Sequence, residues 1–258
     1  MNILNSIKMR KQNYYLSHFE RTKYGKKLLE LKGKYKNEKC FIIGNGPSLD
    51  PKDLDLLKDE YTFAFNRIYL MYDKTEWRPT FYCTQDDKIV KNSLQEIKNK
   101  IKTLYIFSPI NLKWYYDLDL ETEYYFNQKQ AKSENECPIF SENIPHEIGV
   151  GNTVAYTAMQ LAVYMGFSEI YLIGIDHSFK VYQDKDGNII TDEKAKDYFC
   201  EEYNKDKNDL FIPKLDVSTL SYISAKNYAE EHGVKIFNAT RGGKLEIFPR
   251  VNLDEILD

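Results

Sequence analysis

The sequence predicts an α/β fold: a mainly parallel sheet flanked by helices, with a helical N-terminal arm. Three observations predict it. The stretch Cys40-Phe41-Ile42-Ile43-Gly44-Asn45-Gly46-Pro47-Ser48-Leu49 joins a short apolar run to a Gly-Asn-Gly turn. That is the pattern of a buried parallel strand ending in a loop that approaches phosphate. Apolar runs then alternate with helical segments as far as residue 107, which reads as βαβ alternation. Further on, Gly149-Val150-Gly151-Asn152-Thr153 opens an apolar helix, followed by an apolar strand and by Gly174-Ile175-Asp176-His177. Together these describe a Rossmann-like domain, whose ligands bind at the carboxyl ends of the strands.

Residues 1–37 read as a basic, mostly helical extension with Tyr14, Tyr15, Leu16, Phe19, Tyr24, Leu28, Leu29 and Leu31 spread among lysines. Residues 1–39 carry a net charge of +8, whereas the whole chain of 258 residues carries −3. Such an arm packs on the main domain, or it meets acidic lipid or a partner subunit of a homo-oligomer. The main domain is expected over 38–258. Strand one is 40–43. Gly44 and Gly46 permit positive φ and close backbone approach, and Pro47 suits the first turn of a helix. The N–H groups of the turn then face an anion. The third glycine of a dinucleotide fingerprint is missing, because Leu49 stands in its place, so an ordinary strand-to-helix turn remains the alternative.

A short helix over 51–58 follows, with Asp50 as N-cap and Pro51 at its first position. Strands are expected at 61–65, 79–84 and 103–107, with a Lys-rich helix at 87–100. Residues 109–148, rich in Tyr, Asn and Glu, read as an excursion with a short helix near 112–116, a strand near 124–126 and then loop, which walls or lids the cleft, or covers the sheet edge. The helix over 154–165 is apolar on more than one face and is stopped by Gly166. A central strand at 168–173 follows. Residues 180–213 read as a mobile loop or lid with a hairpin-like turn at Asp184–Asn188. That turn resembles the start of a calcium loop, but the Glu expected near its twelfth position is absent. A last main helix at 216–232 and a final strand at 234–237 complete the domain.

Composition excludes several classes. The net charge gives no general case for nucleic acid. No run of about 18 apolar residues marks a transmembrane helix, and the N-terminus lacks a secretory h-region. Cys40, Cys83, Cys137 and Cys200 are scattered without a C-x-x-C pair, which disfavours zinc and a disulfide framework. A cytoplasmic protein with reduced thiols is the expectation, and the basic arm suits work at the inner membrane face.

The Gly-Asn-Gly-Pro-Ser-Leu stretch, Phe65-Asn66-Arg67-Ile68-Tyr69, Gly151-Asn152-Thr153, Ile173-Gly174-Ile175-Asp176-His177 and Phe237-Asn238-Ala239-Thr240 followed by Gly242-Gly243-Lys244-Leu245-Glu246-Ile247 carry a resemblance. In order and spacing they resemble bacterial proteins whose domain is named for the archaeal 6-hydroxymethylpterin diphosphokinase. The motif order also resembles small CMP-sialic acid-dependent bacterial sialyltransferases and the motility-accessory-factor flagellin glycosyltransferases. The resemblance covers about residues 38–255. It implies a CMP-sugar donor and no required metal. It also implies nucleotide contacts at Asn45, at Asn66 and at Thr84 or Gln85, with Gly151, Asn152 and Thr153 lining the donor site. Tyr182 is the implied counterpart of a tyrosine that holds the donor phosphate, and Ser178 stands where a second would be. One departure matters. The sialyltransferase histidine lies just before the last main helix, and residues 211–219 contain none; Asp216 is the nearest charged candidate there.

Transfer to a hydroxyl needs a general base and stabilisation of the leaving phosphate. His177 follows a strand end and titrates in the right range, although it also reads as a loop histidine bonded to backbone. His146, before the second glycine turn, is another candidate. Gly44, Asn45, Gly46, Pro47, Ser48, Gly174 and Asp176 complete the expected nucleotide site. Asp86 and Asp87 would hold Mg²⁺ for pyrophosphoryl transfer from ATP in a diphosphokinase, or serve as a helix N-cap and first-turn acid. Arg241 and Lys244 form a basic spot suited to a phosphate or carboxylate, or a solvated turn.

The expected function is a nucleotide-sugar glycosyltransferase, CMP-nonulosonate dependent, acting on a cell-surface glycan or glycolipid acceptor. The alternative is a Mg²⁺-dependent diphosphokinase on a pterin-like substrate. A non-catalytic nucleotide-binding subunit is a third reading.

Overall fold

The structure, a computed structural model, describes residues 3–131, 133, 136–184, 186–204 and 211–257. The arm consists of helix α1 (Ile3–Ser17), a short 3₁₀ turn and α2 (Lys23–Leu29). Thr22 caps α2 by accepting the Gly25 N–H at 3.1 Å, which satisfies an otherwise orphaned donor. Phe19, Leu28 and Leu31 are fully buried in the same apolar cluster as the main sheet. The arm thus packs on the main domain. Each such side chain contributes about 1.5–3 kcal/mol of burial.

Strand β1 (Lys39–Ile43) leads through α3 (Pro51–Asp55) to β2 (Thr62–Phe65), then β3 (Phe81–Cys83). The Asp50 cap is as expected, accepting Lys52 N–H at 2.8 Å. Helix α4 (Asp87–Lys100) is capped by Asp86, and β4 (Tyr105–Pro109) follows. That strand starts later than the sequence suggests, because the Thr103 hydroxyl bonds to Thr80 O and the Tyr105 N–H turns back to Thr103. Helix α5 (Ile110–Tyr116) and β5 (Tyr124–Phe126) come next. Far from being only a covering excursion, this segment adds β5 to the sheet edge, paired with β4. Two short strands, β6 (Gln128–Lys129) and β7 (Ile148–Gly149), pair with each other and lead into α6 (Val154–Met165).

Strand β8 (Glu169–Ile173) enters the centre of the sheet. The hairpin of β9 (Val181–Gln183) and β10 (Ile189–Thr191) closes on Asp184, whose Oδ1 accepts the N–H groups of Asp186 and Asn188. Helix α7 (Leu215–Glu231), β11 (Lys235–Asn238) and α8 (Leu253–Leu257) finish the chain.

The sheet is parallel throughout, in the order β11-β8-β1-β2-β3-β4-β5. Alternate residues of each strand face opposite layers. Ile42, Phe63, Phe81 and Phe107 join α6, α7 and the arm, whereas Phe41, Ile43, Ala64 and Tyr82 pack with α3 and α4. No helix among the described residues is long and apolar enough to cross a membrane.

Candidate active site

From β1 the chain adds β2 to β5 on one side, then returns to place β8 and β11 on the other. Strand order therefore reverses between β1 and β8, and a ligand crevice is expected outside their carboxyl ends. A cleft of about 570 Å³ opens there. Gly44, Asn45, Gly46, Asn66, Gln85 and Asp176 line it, together with the first turn of α6.

Of the two reasons expected for the glycines of the Gly-Asn-Gly turn, close backbone approach holds and positive φ does not. Neither Gly44 nor Gly46 has a positive φ. A Cβ on Gly44 would sit 2.2 Å from Gly174 O, and one on Gly46 would sit 1.9 Å from Asp176 Oδ2. The glycines let the loops after β1 and β8 touch. Their N–H groups are consumed in that contact, Gly44 donating to Ile173 O at 2.7 Å and Gly46 to Gly174 O at 2.9 Å. They do not face an anion. Asp176 reinforces the contact by accepting the Ser48 hydroxyl at 2.7 Å. Burial raises the Asp176 pKa, and the Ser48 bonds oppose that rise. Ser48 thus holds the turn from behind, and neither it nor Pro47 lines the cleft.

Asn45 donates its amide to Phe65 O at 3.2 Å and to the Tyr203 hydroxyl at 3.1 Å. Its Oδ1 is buried without a partner. Asn66 takes a left-handed conformation, φ 48°, which Asn tolerates better than most residues. Its Oδ1 accepts the hydroxyl of Thr84 at 3.0 Å. Thr84 is fully buried and stays out of the cleft; Gln85 reaches it, with Oε1 bonded to Thr157 at 2.8 Å. At α6, Asn152 and Thr153 line the cleft, whereas Gly151 packs away from it, its carbonyl accepting the Ser221 hydroxyl at 2.6 Å.

Sequence reasoning missed a strap over residues 197–204. Phe199 N–H donates to Asn45 O at 3.1 Å, and the Arg67 guanidinium donates to Tyr203 O at 2.6 Å. Tyr198 and Tyr203 stack at 3.9 Å and both line the cleft. The signal was present as an aromatic group inside an otherwise polar segment. Tyr182 instead lies in β9, outside the cleft.

Of the three candidate bases, the structure brings only His177 into the cleft. Its Nε2 lies 2.8 Å from Thr219 Oγ1, and that hydroxyl donates to Leu215 O at 2.9 Å. With the Thr219 proton assigned to Leu215 O, Nε2 is assigned the hydrogen and Nδ1 the lone pair. Burial lowers the His177 pKa to about 4, against a rise caused by the charge of Asp216. Asp216 itself is exposed in the first turn of α7 and does not line the cleft.

His146 is tied elsewhere, its Nδ1 2.8 Å from Glu20 Oε2 in the arm. This pair lowers the Glu20 pKa. His146→Ala is expected to speed hydrogen exchange in the arm around Phe19–Leu29 and to leave ligand-induced stabilisation untouched.

Asp86 and Asp87 both line the cleft. Asp86 is the α4 cap, its Oδ1 accepting Lys88 N–H at 2.9 Å and Ile89 N–H at 3.1 Å. Burial raises its pKa. The pair fits Mg²⁺, which takes oxygen ligands and commonly needs only one or two carboxylates beside substrate phosphate. No group of three potential metal ligands forms among the described residues. The basic spot is already neutralised: Arg241 makes a two-pronged bond to Asp53 and reaches Asp254 at 2.9 Å, and Lys244 pairs with Asp192 at 3.2 Å. Among the described cleft residues the carboxylates of Asp86, Asp87, Asp176 and Asp197 face one lysine, Lys214.

Residues 13–181 match the family described as 6-hydroxymethylpterin diphosphokinase MptE-like. The chain belongs to this family. The match spans the Gly-Asn-Gly turn, α6 and His177, and ends before the strap and α7. Among solved structures, the chain is similar to the sialyltransferase CstII from Campylobacter jejuni in complex with the substrate analogue CMP-3FNeuAc. The identity is 18%, with 83% of this chain and 86% of that chain covered and a TM-score of 0.46. It is also similar to the same sialyltransferase in complex with cytidine-5'-monophosphate, at 18% identity, 84% and 87% coverage and a TM-score of 0.43. No curated protein matches the chain.

Proposed function

We propose that the chain is a nucleotide-sugar glycosyltransferase, CMP-nonulosonate dependent, acting on a cell-surface glycan or its lipid-linked precursor. The observation that carries the reading is His177, a neutral imidazole with its Nδ1 lone pair available, in one cleft with the Gly-Asn-Gly turn and the start of α6. The imidazole accepts the proton of an attacking hydroxyl, and the α6 N-terminus faces the departing phosphate. An anionic donor beside His177 raises its pKa from the low value of the empty cleft, because a nearby negative charge favours imidazolium. The charge balance of the cleft supports a CMP-linked donor. That donor brings one phosphate and one sugar carboxylate, less charge than a free triphosphate brings against four aspartates.

A second reading has its own support. Asp86 and Asp87 fit Mg²⁺, and the family is described by a diphosphokinase. In that reading the metal offsets the triphosphate charge, and His177 serves the pterin hydroxyl.

Thermal unfolding with CMP, CDP, UDP, ADP and ATP, each with Mg²⁺ or EDTA, separates the two, because a ligand of the folded state raises the midpoint by mass action. A CMP shift that survives EDTA is the expected result. A shift with ATP or ADP only when Mg²⁺ is present overturns the glycosyltransferase in favour of the diphosphokinase. No shift with any nucleotide points to a silent scaffold subunit or to a donor site that closes only around the intact sugar nucleotide.

A further inference from the structure

The β4–β5 end of the cleft has a chemistry unlike the rest. Its wall consists of Asn111 and Tyr116 from α5 with Gln128 and Gln130 from β6 and its end. The four side chains are three amides and one phenol, with no carboxylate or cation among them. The carboxylates of the cleft lie elsewhere, after β3, after β8 and in the strap. Asn111 Oδ1 is buried and has no hydrogen-bond partner. A buried acceptor left open is unfavourable, so the wall has an acceptor in want of a donor. Tyr116 is 55% exposed at this place, an apolar ring turned to solvent beside amides.

Position adds to composition. The backbone beside this wall runs straight into α6: Lys129 pairs with Gly149, Val150 N–H donates to Lys129 O at 2.9 Å, and Thr153 follows as the α6 cap. Thr153 Oγ1 lies 3.5 Å from the Tyr222 hydroxyl, and His177 stands edge-on to the Tyr222 ring at 5.4 Å. The amide wall and His177 therefore both adjoin the start of α6.

We propose that Asn111, Tyr116, Gln128 and Gln130 form a saccharide subsite. Amides offer paired donors and acceptors that match the hydroxyls of a sugar, each of which also gives and takes hydrogen bonds. The flat Tyr116 ring covers the apolar C–H face of a pyranose. Rotation of the Asn111 side chain brings its partnerless Oδ1 to a sugar hydroxyl, which supplies the proton it lacks. The wall has no carboxylate to pair with the amino-pyrimidine edge of a pterin. The inference rests on the glycosyltransferase reading for its biological sense, but its ligand chemistry is independent of the nucleotide. The ring belongs either to the donor sugar or to the acceptor, and the two are separated by experiment.

Wild type, Tyr116→Ala, Gln130→Ala and Asn111→Ala are titrated calorimetrically with CMP, CMP-N-acetylneuraminate, lactose, maltotriose, chitotriose and 6-hydroxymethylpterin. Tyr116 and Gln130 are exposed, so their variants fold, and unliganded midpoints verify this. The expected result is sugar-dependent affinity that falls about tenfold or more in Tyr116→Ala and Asn111→Ala, a loss of the size that one buried hydrogen bond or ring contact gives. CMP affinity stays at the wild-type level. A gain of CMP-N-acetylneuraminate over CMP that the variants abolish assigns the wall to the donor sugar. Loss confined to the neutral saccharides assigns it to the acceptor. If no saccharide binds, if sugar binding survives all three substitutions, or if pterin binding is what they abolish, the subsite is overturned. Saccharide binding without any CMP binding keeps the subsite and sinks the CMP-donor reading; CMP binding without saccharide does the reverse.

Discussion

Gly46→Ala is expected to abolish nucleotide-induced stabilisation and to lower unliganded stability by about 1–3 kcal/mol, the usual cost of forcing a methyl into a packed site. The new Cβ would lie 1.9 Å from Asp176 Oδ2 and 2.8 Å from Gly174 O. The first of these partners is held by Ser48 and cannot swing away without breaking a 2.7 Å bond, and the second is backbone. The turn must therefore lift off the loop after β8, carrying Asn45 out of register with Phe65 and Tyr203. Calorimetric or fluorimetric melting with and without CMP checks it. A variant with a wild-type midpoint and a wild-type ligand shift would show that close docking of the two loops is dispensable.

His177→Gln is expected to lower turnover by about 10²–10⁴, the range for a positioned general base, while keeping a hydrogen-bonding group near Thr219. The pH dependence gives an independent check. The folded pKa is depressed from 6.5 to about 4 by burial. Between those values the unfolded chain holds more protons than the folded one, so stability rises with pH there and is lost as pH falls from 6.5 towards 4. At pH 4.5 the wild type should have lost about 2–3 kcal/mol through this group alone, a loss that His177→Gln does not share. Denaturant unfolding of both proteins at pH 7 and pH 4.5 isolates it. Kinetically, the acid limb of kcat/KM reports the free enzyme and should lie near the low pKa, whereas that of kcat should lie higher once an anionic donor is bound. Identical limbs would sink the role assigned to His177.

The fold was legible where local chemistry is strong. Asp50 before Pro51, Asp86 before α4 and Gly166 after α6 are caps whose physics is contained in a few neighbouring residues. The boundary of β4 was not, because it depends on the contact of Thr103 with Thr80, 23 residues earlier and just before β3. The strand at 124–126 was legible, but not its place at the edge of the main sheet, which a three-residue Tyr-Tyr-Phe run does not announce. At the site, the glycine turn, Asn66, the start of α6 and His177 were found because strand ends are where such folds bind ligands. Thr84, Tyr182, Asp216 and His146 fell outside the cleft for a common reason. Residue type and chain order say which groups lie near a strand end but not which way a side chain turns, and Thr84 turns inward to Asn66 while His146 turns to Glu20. The strap was invisible because its partners, Asn45 and Arg67, are brought to it only by the tertiary fold.

The pairing of β1 with β8 also governs when the site comes into being. Ile43 lies beside Ile173 in register, about 130 residues later in the chain, and such non-local contacts are slow to form. During synthesis β2 to β5 emerge soon after β1 and can add to one flank of it. The other flank, the buried run from Cys40 to Ile43, stays an open apolar edge until β8 leaves the ribosome. The nascent chain therefore passes through a stage in which most of the sheet exists and the cleft does not. That edge, open until β8 arrives, is where the growing chain is exposed to wrong strand pairing.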